Sequence, residues 1–443
     1  MADNLYSALA VSHVDGCDAV WQNIQEGILE YCRQHHKFGF YQAKPAVRLH
    51  EPTFSADEII AALEVLLSTR VTMGPKVNAF ERQFAQSGGF AHAVSNNSGS
   101  SANLLAVAAL TNPAREGHLR PGDEVIVSAL SWSTTIWPLI QHQLVPVIVD
   151  IDPVTWNIDP NEVERAIGPR TRAVMPVHVY GNPCDMRALS DICRRRGLML
   201  IEDCCEALGA YYEGMPVGRF GKVGTFSFYF SHHITTLEGG ICVTDDFELV
   251  EMMRILRAHG WTRELEDRDR YAKKYPEIDP RFLFVNLGYN LRMTELQGVM
   301  GTVQLPKLAG FVDQRRETSA IWQKEWSEWG NVFQFQQETP GGRTSAFGFP
   351  VLVKPTAPFT VGDIAAALNA AAIETRPIIC GNIAKQPAMQ LFDHRVSGSL
   401  AHATRVMESG FSIGNHQAVD AEARAYVTGT IAKFMSHQGK VKK

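Results

Sequence analysis

The stretch Thr225-Phe226-Ser227-Phe228-Tyr229-Phe230-Ser231-His232-His233-Ile234-Thr235-Thr236-Leu237-Glu238-Gly239-Gly240 decides how this chain is read. Its first residues alternate apolar and polar, the period of a strand with one buried face. Two adjacent imidazoles follow, then an acid and two glycines, which suit an irregular loop. The next residues, Ile241-Cys242-Val243-Thr244-Asp245, form a second β-type run. The whole reads as strand, loop, strand, with His232 and His233 in the loop. Histidine changes charge near neutral pH, so a pair held between two buried strands is a first candidate for proton chemistry.

Upstream, strands alternate with helices. His92 to Ser95 is a strand, followed by Asn96-Asn97-Ser98-Gly99-Ser100-Ser101-Ala102-Asn103 opening a helix to Leu110. A hydroxyl-rich loop at a helix N-terminus offers backbone N–H groups, O–H donors and the positive end of the helix dipole, the parts of a phosphate cradle. Further strands are expected at Val125–Val127, Val145–Val149, Ala173–Val179 and Leu198–Ile201, with helices after Ser133, from Pro160 to Ile167 and from Met186 to Arg196. This alternation means an α/β domain with a mainly parallel sheet. Ligands bind such sheets at the carboxyl ends of the strands. Ser98–Ser101, Trp132, His178 and Asp203 all fall at or just beyond those ends.

On the N-terminal side, residues 1–50 read as a helical extension, with apolar residues at helical spacing from Val20 to Tyr31. Ser55 followed by Glu58 is a capping box opening another helix. On the C-terminal side, 260–280 is a highly charged excursion, read as solvated surface or a lid. After Leu305-Pro306 the pattern changes. A helix from Leu308 to Trp329 leads to strands at Phe333–Phe335, Ala346–Val353 and Ile373–Ile378, with a helix at Val361–Ala371. The domain plan is therefore 1–50, a large α/β domain over 51–305, and a smaller α+β domain over 306–443 ending in an irregular tail from Gly439.

Composition narrows the class. The 443 residues are 45% hydrophobic and 20% charged, an ordinary globular balance with ample length for a large core. A net charge of −5 provides no field for nucleic acid or an anionic membrane. No run has the length of a membrane-spanning helix, and the first residues lack a secretory pattern, so a cytoplasmic protein is expected. The eight cysteines form no C-x-x-C pair and read as reduced, buried small hydrophobes. No metal site is expected.

Several motifs, in order, carry a resemblance: Ser98-Gly99-Ser100-Ser101-Ala102-Asn103, Pro121-Gly122-Asp123-Glu124-Val125, Glu202-Asp203-Cys204-Cys205-Glu206-Ala207, the opening stretch, and Gly288-Tyr289-Asn290-Leu291-Arg292-Met293-Thr294-Glu295. Over residues 50–440 the chain resembles the DegT/DnrJ/StrS sugar aminotransferases, fold type I enzymes that use pyridoxal phosphate. The resemblance implies that Asp203 pairs with the pyridine nitrogen and keeps it protonated. It implies that Ser100, Ser101 and Ser227 hold the phosphate, that Trp132 stacks on the ring, and that Glu206 belongs to the cofactor site. It also implies that Asn290 reaches the phosphate of a second subunit, hence a homodimer with shared sites.

One departure is decisive. The aminotransferases carry a lysine six residues before the glutamate of Glu-Gly-Gly, and its amine binds the cofactor aldehyde covalently. Here that position, 238 − 6 = 232, is His232. The cofactor is then held non-covalently, which suits its amine form, pyridoxamine phosphate. Histidine in a Ser-His-His-Ile-Thr-Thr setting resembles the sugar 3-dehydratases of the group. One kind acts on CDP-4-keto-6-deoxyglucose with an iron–sulfur cluster and a reductase. The other acts on GDP-4-keto-6-deoxymannose without a cluster. No cysteine lies between Cys242 and Cys380, so the first kind's cluster is not expected. The nucleotide stays open.

The expectation is C3 deoxygenation of a nucleotide-linked 4-keto-6-deoxyhexose of dideoxysugar and lipopolysaccharide O-antigen type, with His232 as base and L-glutamate restoring the cofactor amine. His233, Arg376, Asn415 and His416 are the candidate substrate-binding residues. A reductase-coupled 3-dehydrase on a CDP- or dTDP-sugar, and an inactive cofactor- or sugar-nucleotide-binding relative, are the alternatives.

Overall fold

The computed structural model describes residues 17–440. The expectations for Met1–Gly16, and for the last three residues of the tail, lie outside that range. In chain order the first strands are β1 (His92–Asn96), β2 (Glu124–Ser128), β3 (Val145–Val149), β4 (Thr171–Met175) and β5 (Met199–Asp203). A short hairpin, β6 (Tyr211–Tyr212) and β7 (Met215–Pro216), precedes β8 (Val223–Ser227) and β9 (Gly240–Thr244). The C-terminal part adds β10 (Phe333–Phe335), β11 (Gly342–Arg343), β12 (Phe349–Val353), β13 (Thr375–Arg376), β14 (Arg395–Val396) and β15 (Gly410–Ile413).

The large sheet runs β1-β9-β8-β5-β4-β2-β3-β14. Every pairing from β8 to β14 is parallel, and β9 alone runs antiparallel to both its neighbours. The central strands are buried on both faces, as parallel sheets covered by helices must be. The helix Gly99–Leu110 explains its own position. It is Ala- and Leu-rich on all sides, and nearly all of it is buried between the sheet and the helix Phe247–Arg257. The opening stretch folds as read: β8, a loop over 228–239, then β9, with Ser227 opposite Gly240 in register.

A second sheet, β10-β12-β15-β13, is antiparallel and packs Trp322, Trp326, Phe333, Phe349 and Phe411 into its own core. The two regions interleave. Val47, from the N-terminal segment, bridges Ile373 and lies in the C-terminal core, while β14 returns to add an edge strand beside β3. Asp150, at the end of β3, accepts the first N–H groups of the helix Ala401–Ser409. These ties fix the C-terminal sheet against the strand ends.

Several boundaries differ from the sequence reading. The N-terminal helix spans Cys17–His35, longer than its apolar spacing suggested. The capping box at Ser55 and Glu58 is present. The strand expected over Ala346–Val353 starts only at Phe349, because Ala346 has φ 49° and cannot sit in a ladder. That expected over Ala173–Val179 ends at Met175, before Pro176. The terminal helix Ala421–Lys440 passes through Gly439, where an irregular tail was expected. Among the described residues no helix is long and apolar enough to cross a membrane.

Candidate active site

Beyond the carboxyl ends of the strands lies a cavity of about 370 Å3. Its lining joins the loop after β1 (Ser98, Gly99, Ser100), Trp132 after β2, Asp203 and Glu206 after β5, and Ser227 and His232 after β8. Phe347 and Arg376 close it from the C-terminal sheet. A larger cleft of about 800 Å3 opens at the other end of β1, beside Arg82, Arg254 and Trp261. The smaller cavity is the candidate site, because ligands of parallel sheets sit where the strands end and where the titratable groups converge.

Asp203 is the best-anchored carboxylate of the cavity. It is buried, and its Oδ2 accepts hydrogen bonds from Thr135 Oγ1 at 2.7 Å and Asn103 Nδ2 at 2.8 Å. Its Oδ1 accepts the Cys205 N–H at 3.1 Å. Asn103 is oriented in turn by Thr225 Oγ1, which donates to its Oδ1 at 2.6 Å. Thr135 and Asn103 were not among the sequence candidates. The signal available was the polar residue in the first turn of each helix that begins just past a strand.

The helix Gly99–Leu110 starts with Ser98 as its N-cap, whose Oγ accepts the Ser101 N–H at 3.0 Å. Ser98 Oγ also donates to Ser101 Oγ, so Ser101 serves the cap and does not line the cavity. Ser100 does line it and donates to Thr134 Oγ1 at 3.1 Å. Gly99 must be glycine: an added Cβ would stand 2.4 Å from Ser227 Cβ and 3.1 Å from Cys205 Sγ. That close approach brings a helix N-terminus and the Ser227 hydroxyl together, a cradle for a phosphate. Trp132 stands at the rim, 55% exposed, with a face free to stack.

His232 packs edge-on against Phe347 at 5.1 Å and Tyr229 at 5.9 Å. Its Nδ1 is sealed from solvent without a partner. Burial first, then the guanidinium groups of Arg376 and Arg315, push its imidazole down to about 3. Both influences favour the neutral ring over the cation. Glu206 shows the opposite effect: burial raises its carboxyl to about 7, against the pull of Arg376 and the Tyr180 N–H, which donates to Oε2 at 3.0 Å. Arg376 lies 5.7 Å from the ring centres of both Tyr180 and Phe347, a cation held by aromatic faces at the cavity wall.

Other candidates lie elsewhere. His233 is fully buried behind the loop and its Nε2–H donates to Ser345 O at 3.0 Å. Asn415 is also fully buried, and its Nδ2 donates to the carbonyls of Arg315 and Ala346. His416 donates from Nε2 to Arg48 O at 3.1 Å. None of these three lines the cavity, in contrast to the substrate-binding role the sequence suggested; each donates to a backbone carbonyl within the fold, while His233 Nδ1 and Asn415 Oδ1 have no partner. Asn290 is exposed, outside this chain's own cavity, and accepts from Arg292 Nε. Among the described residues no lysine lines the cavity, and Lys222 is exposed just before the far end of β8. The buried trio His178, Glu202 and Cys204 resembles a metal set; within the fold Glu202 accepts three backbone N–H groups and His178 Nδ1 accepts the Cys184 N–H.

The chain belongs to the DegT/DnrJ/EryC1/StrS aminotransferase family, whose model matches residues 52–432. Its α/β architecture is that of fold type I pyridoxal-phosphate enzymes. Within the family it is 39% identical over 372 residues to GDP-4-keto-6-deoxy-D-mannose 3-dehydratase of Yersinia pseudotuberculosis, covering 83% of this chain and 94% of that one. It is 34% identical over 424 residues to dTDP-4-dehydro-2,6-dideoxy-D-glucose 3-dehydratase of Saccharopolyspora spinosa, covering 93% of this chain and 92% of that one. A solved GDP-4-keto-6-deoxymannose-3-dehydratase with a trapped PLP-glutamate geminal diamine superposes with a TM-score of 0.81 at 36% identity, covering 87% of this chain and 99% of that one.

Proposed function

We propose that this protein removes the C3 hydroxyl of a nucleotide-linked 4-keto-6-deoxyhexose, using pyridoxamine phosphate regenerated from L-glutamate. One observation carries the reading: among the described residues the cavity is lined by His232 and by no lysine. The residues fit the cofactor. Asp203, braced from three sides, suits a protonated ring nitrogen. Ser227 and the helix start at Gly99 suit the phosphate, and Trp132 suits a ring face. When bound, the cofactor supplies an amine for the sugar's C4 carbonyl and a ring that draws electrons from the adjoining carbon. Asp203 keeps that ring's nitrogen protonated. His232 accepts a proton beside the amine and delivers one to the departing C3 hydroxyl, alternating as base and acid. Phe347 and Tyr229 hold the imidazole edge-on. Arg376 is placed to take a carboxylate or phosphate of the reactants. The two electrons that reduce C3 come from glutamate, which leaves as 2-oxoglutarate and ammonia.

The test is a set of incubations with pyridoxal phosphate, glutamate and GDP-, dTDP- and CDP-linked 4-keto-6-deoxy sugars, followed by sugar mass, ammonia and 2-oxoglutarate. The expected product has lost one oxygen and gained no nitrogen. An amino sugar overturns the proposal, and oxygen loss only with an added reductase favours the reductase-coupled reading.

The same proposal includes a homodimer. Asn290 lies on a segment whose apolar side chains face solvent in the isolated chain: Phe282 is 63% exposed, Phe284 54% and Leu287 86%. A patch of that kind marks an interaction surface. A partner subunit seated there would receive Asn290 and complete the phosphate site.

A further inference from the structure

Behind His232 the chain buries a guanidinium that has no counter-ion. Arg315, on the helix Leu308–Glu325, is 2% exposed. Among the described residues it makes no ion pair. The other fully buried arginine is different: Arg257 is matched by Glu81 and Glu264. Burying a charge without an opposite one is costly, so its retention calls for a physical reason. Arg315 spends its Nη1 on two backbone carbonyls, Phe347 O at 2.8 Å and Asn415 O, and its Nε has no partner.

Those contacts lead to the active site. Residues 345–347 form a strap with three successive carbonyls captured by side chains: Ser345 O by His233, Ala346 O by Asn415, and Phe347 O by Arg315. The strap's own N–H groups at Ser345 and Phe347 donate to Gly181 O and Tyr180 O. Its end is the Phe347 ring, 5.1 Å from His232 and 5.6 Å from His233. The strap therefore sets the wall against which the His232 imidazole rests.

We propose that Arg315 is a positioning residue for His232: it fixes the Ser345–Phe347 strap against the imidazole and sets a second buried cation, besides Arg376, behind the ring. The charged groups acting on His232 are Arg376 from β13 and Arg315 from the helix behind the strap, and both disfavour a proton on the ring. His233 lies under the same cation, with its tautomer fixed by Ser345 O. The role in turnover rests on the reading of His232 as the base; the charge state of the ring does not.

The test is a pH titration of the His232 ring carbons by NMR in the full chain without cofactor, its signals assigned by their loss in His232→Asn. In the wild-type chain the ring is expected to stay neutral well below pH 6. Arg315→Met is expected to raise the midpoint by about one pH unit or more, whereas Arg315→Lys, which keeps the charge, is not. In the holoenzyme, with pyridoxal phosphate and L-glutamate, the single-turnover rate of 2-oxoglutarate formation is expected to fall about 10²-fold for both variants, since both lose the two-carbonyl grip. The glutamate concentration giving half the maximal rate stays within about twofold. A wild-type midpoint near that of free histidine overturns the proposal, as does an Arg315→Met chain with wild-type titration and turnover. If Arg315→Met does not fold, the wild-type titration and Arg315→Lys still decide. A neutral His232 that moves with Arg315, in a protein that forms no 2-oxoglutarate, supports the electrostatic role and counts against the proposed reaction.

Discussion

At the residue scale, the proposed function turns on one position, His232. His232→Lys is expected to place an amine within the cofactor cavity and capture the aldehyde form covalently, seen as a spectral shift and a borohydride-reducible adduct in the mass spectrum. A wild-type chain showing such an adduct would contradict the site as described. Gly99 is a second critical residue. In Gly99→Ala the new Cβ meets Ser227, which must move, so cofactor binding measured by fluorescence is expected to weaken by tenfold or more, about 1.4 kcal/mol. An unchanged Kd would show that Ser227 is not part of the phosphate site. His232 was legible in the sequence because its meaning lies in local spacing to Glu238-Gly239-Gly240. The braces of Asp203 were not: Thr135 is 68 residues away and Asn103 is 100, and contacts made by folding leave no local pattern. Asn415 and His416 were misplaced for the same reason. A polar side chain near the site in sequence reads alike whether it faces a ligand or a carbonyl.

At the element scale, the strand–loop–strand hairpin is readable because alternation and glycine both mark it, whereas Ala346 and Phe347 of the strap read as the start of a strand. Its residues are apolar enough for one, and only the left-handed Ala346, φ 49°, keeps it out of β12. Three other left-handed residues adjoin the cavity: Tyr180 at φ 54° and Leu237 at φ 68° lie in adjoining loops, and Ile379 at φ 49° lines the wall. Left-handed backbone costs a residue with a side chain roughly 1–2 kcal/mol, and such costs are retained where a loop must be aimed. Ala346→Gly removes that cost at one point. It is expected to leave the chain as stable or up to about 1 kcal/mol more stable in urea unfolding while lowering turnover, because the strap under Phe347 then has more conformations. A variant that is both less stable and fully active would mean that Ala346 is held by its methyl packing and that the strap does not aim the ring.

At the scale of the whole molecule, the site is assembled where two cores meet, and that junction should govern both association and acid stability. If the exposed segment with Phe282, Phe284 and Leu287 is a subunit contact, Leu287→Glu is expected to give monomers in sedimentation and to lose activity with Asn290 displaced; an active monomer would exclude shared sites. Acid stability follows from three histidines buried at the junction. Burial lowers His232 and His416 to about 3 and holds His233 well below its usual value, with Arg315 acting on all three. In the unfolded chain each protonates near 6.5. Each therefore contributes stability that is complete above about pH 6.5 and lost as pH falls toward its folded value. Glu206 runs the other way: its folded carboxyl titrates at about 7, so its contribution is complete below about 4.5 and lost as pH rises. Between about pH 6.5 and 4.5, three histidines oppose one carboxyl, a net difference of two protons. At about 1.4 kcal/mol per proton per pH unit, the unfolding free energy of the cofactor-free protein should fall by roughly 3 kcal/mol for each unit of acidification. His50 and His142, also lowered by burial, add to this slope, and Glu51 and Glu238, raised by burial, oppose it. Urea unfolding at several values across that window measures the slope directly. His416→Asn removes one of the three protons without touching the cavity lining, so it should flatten the slope by about one proton's worth while leaving cofactor binding intact. A flat or inverted profile would mean that these imidazoles are already protonated in the fold, and a His232 that carries its proton at neutral pH could not serve as the base.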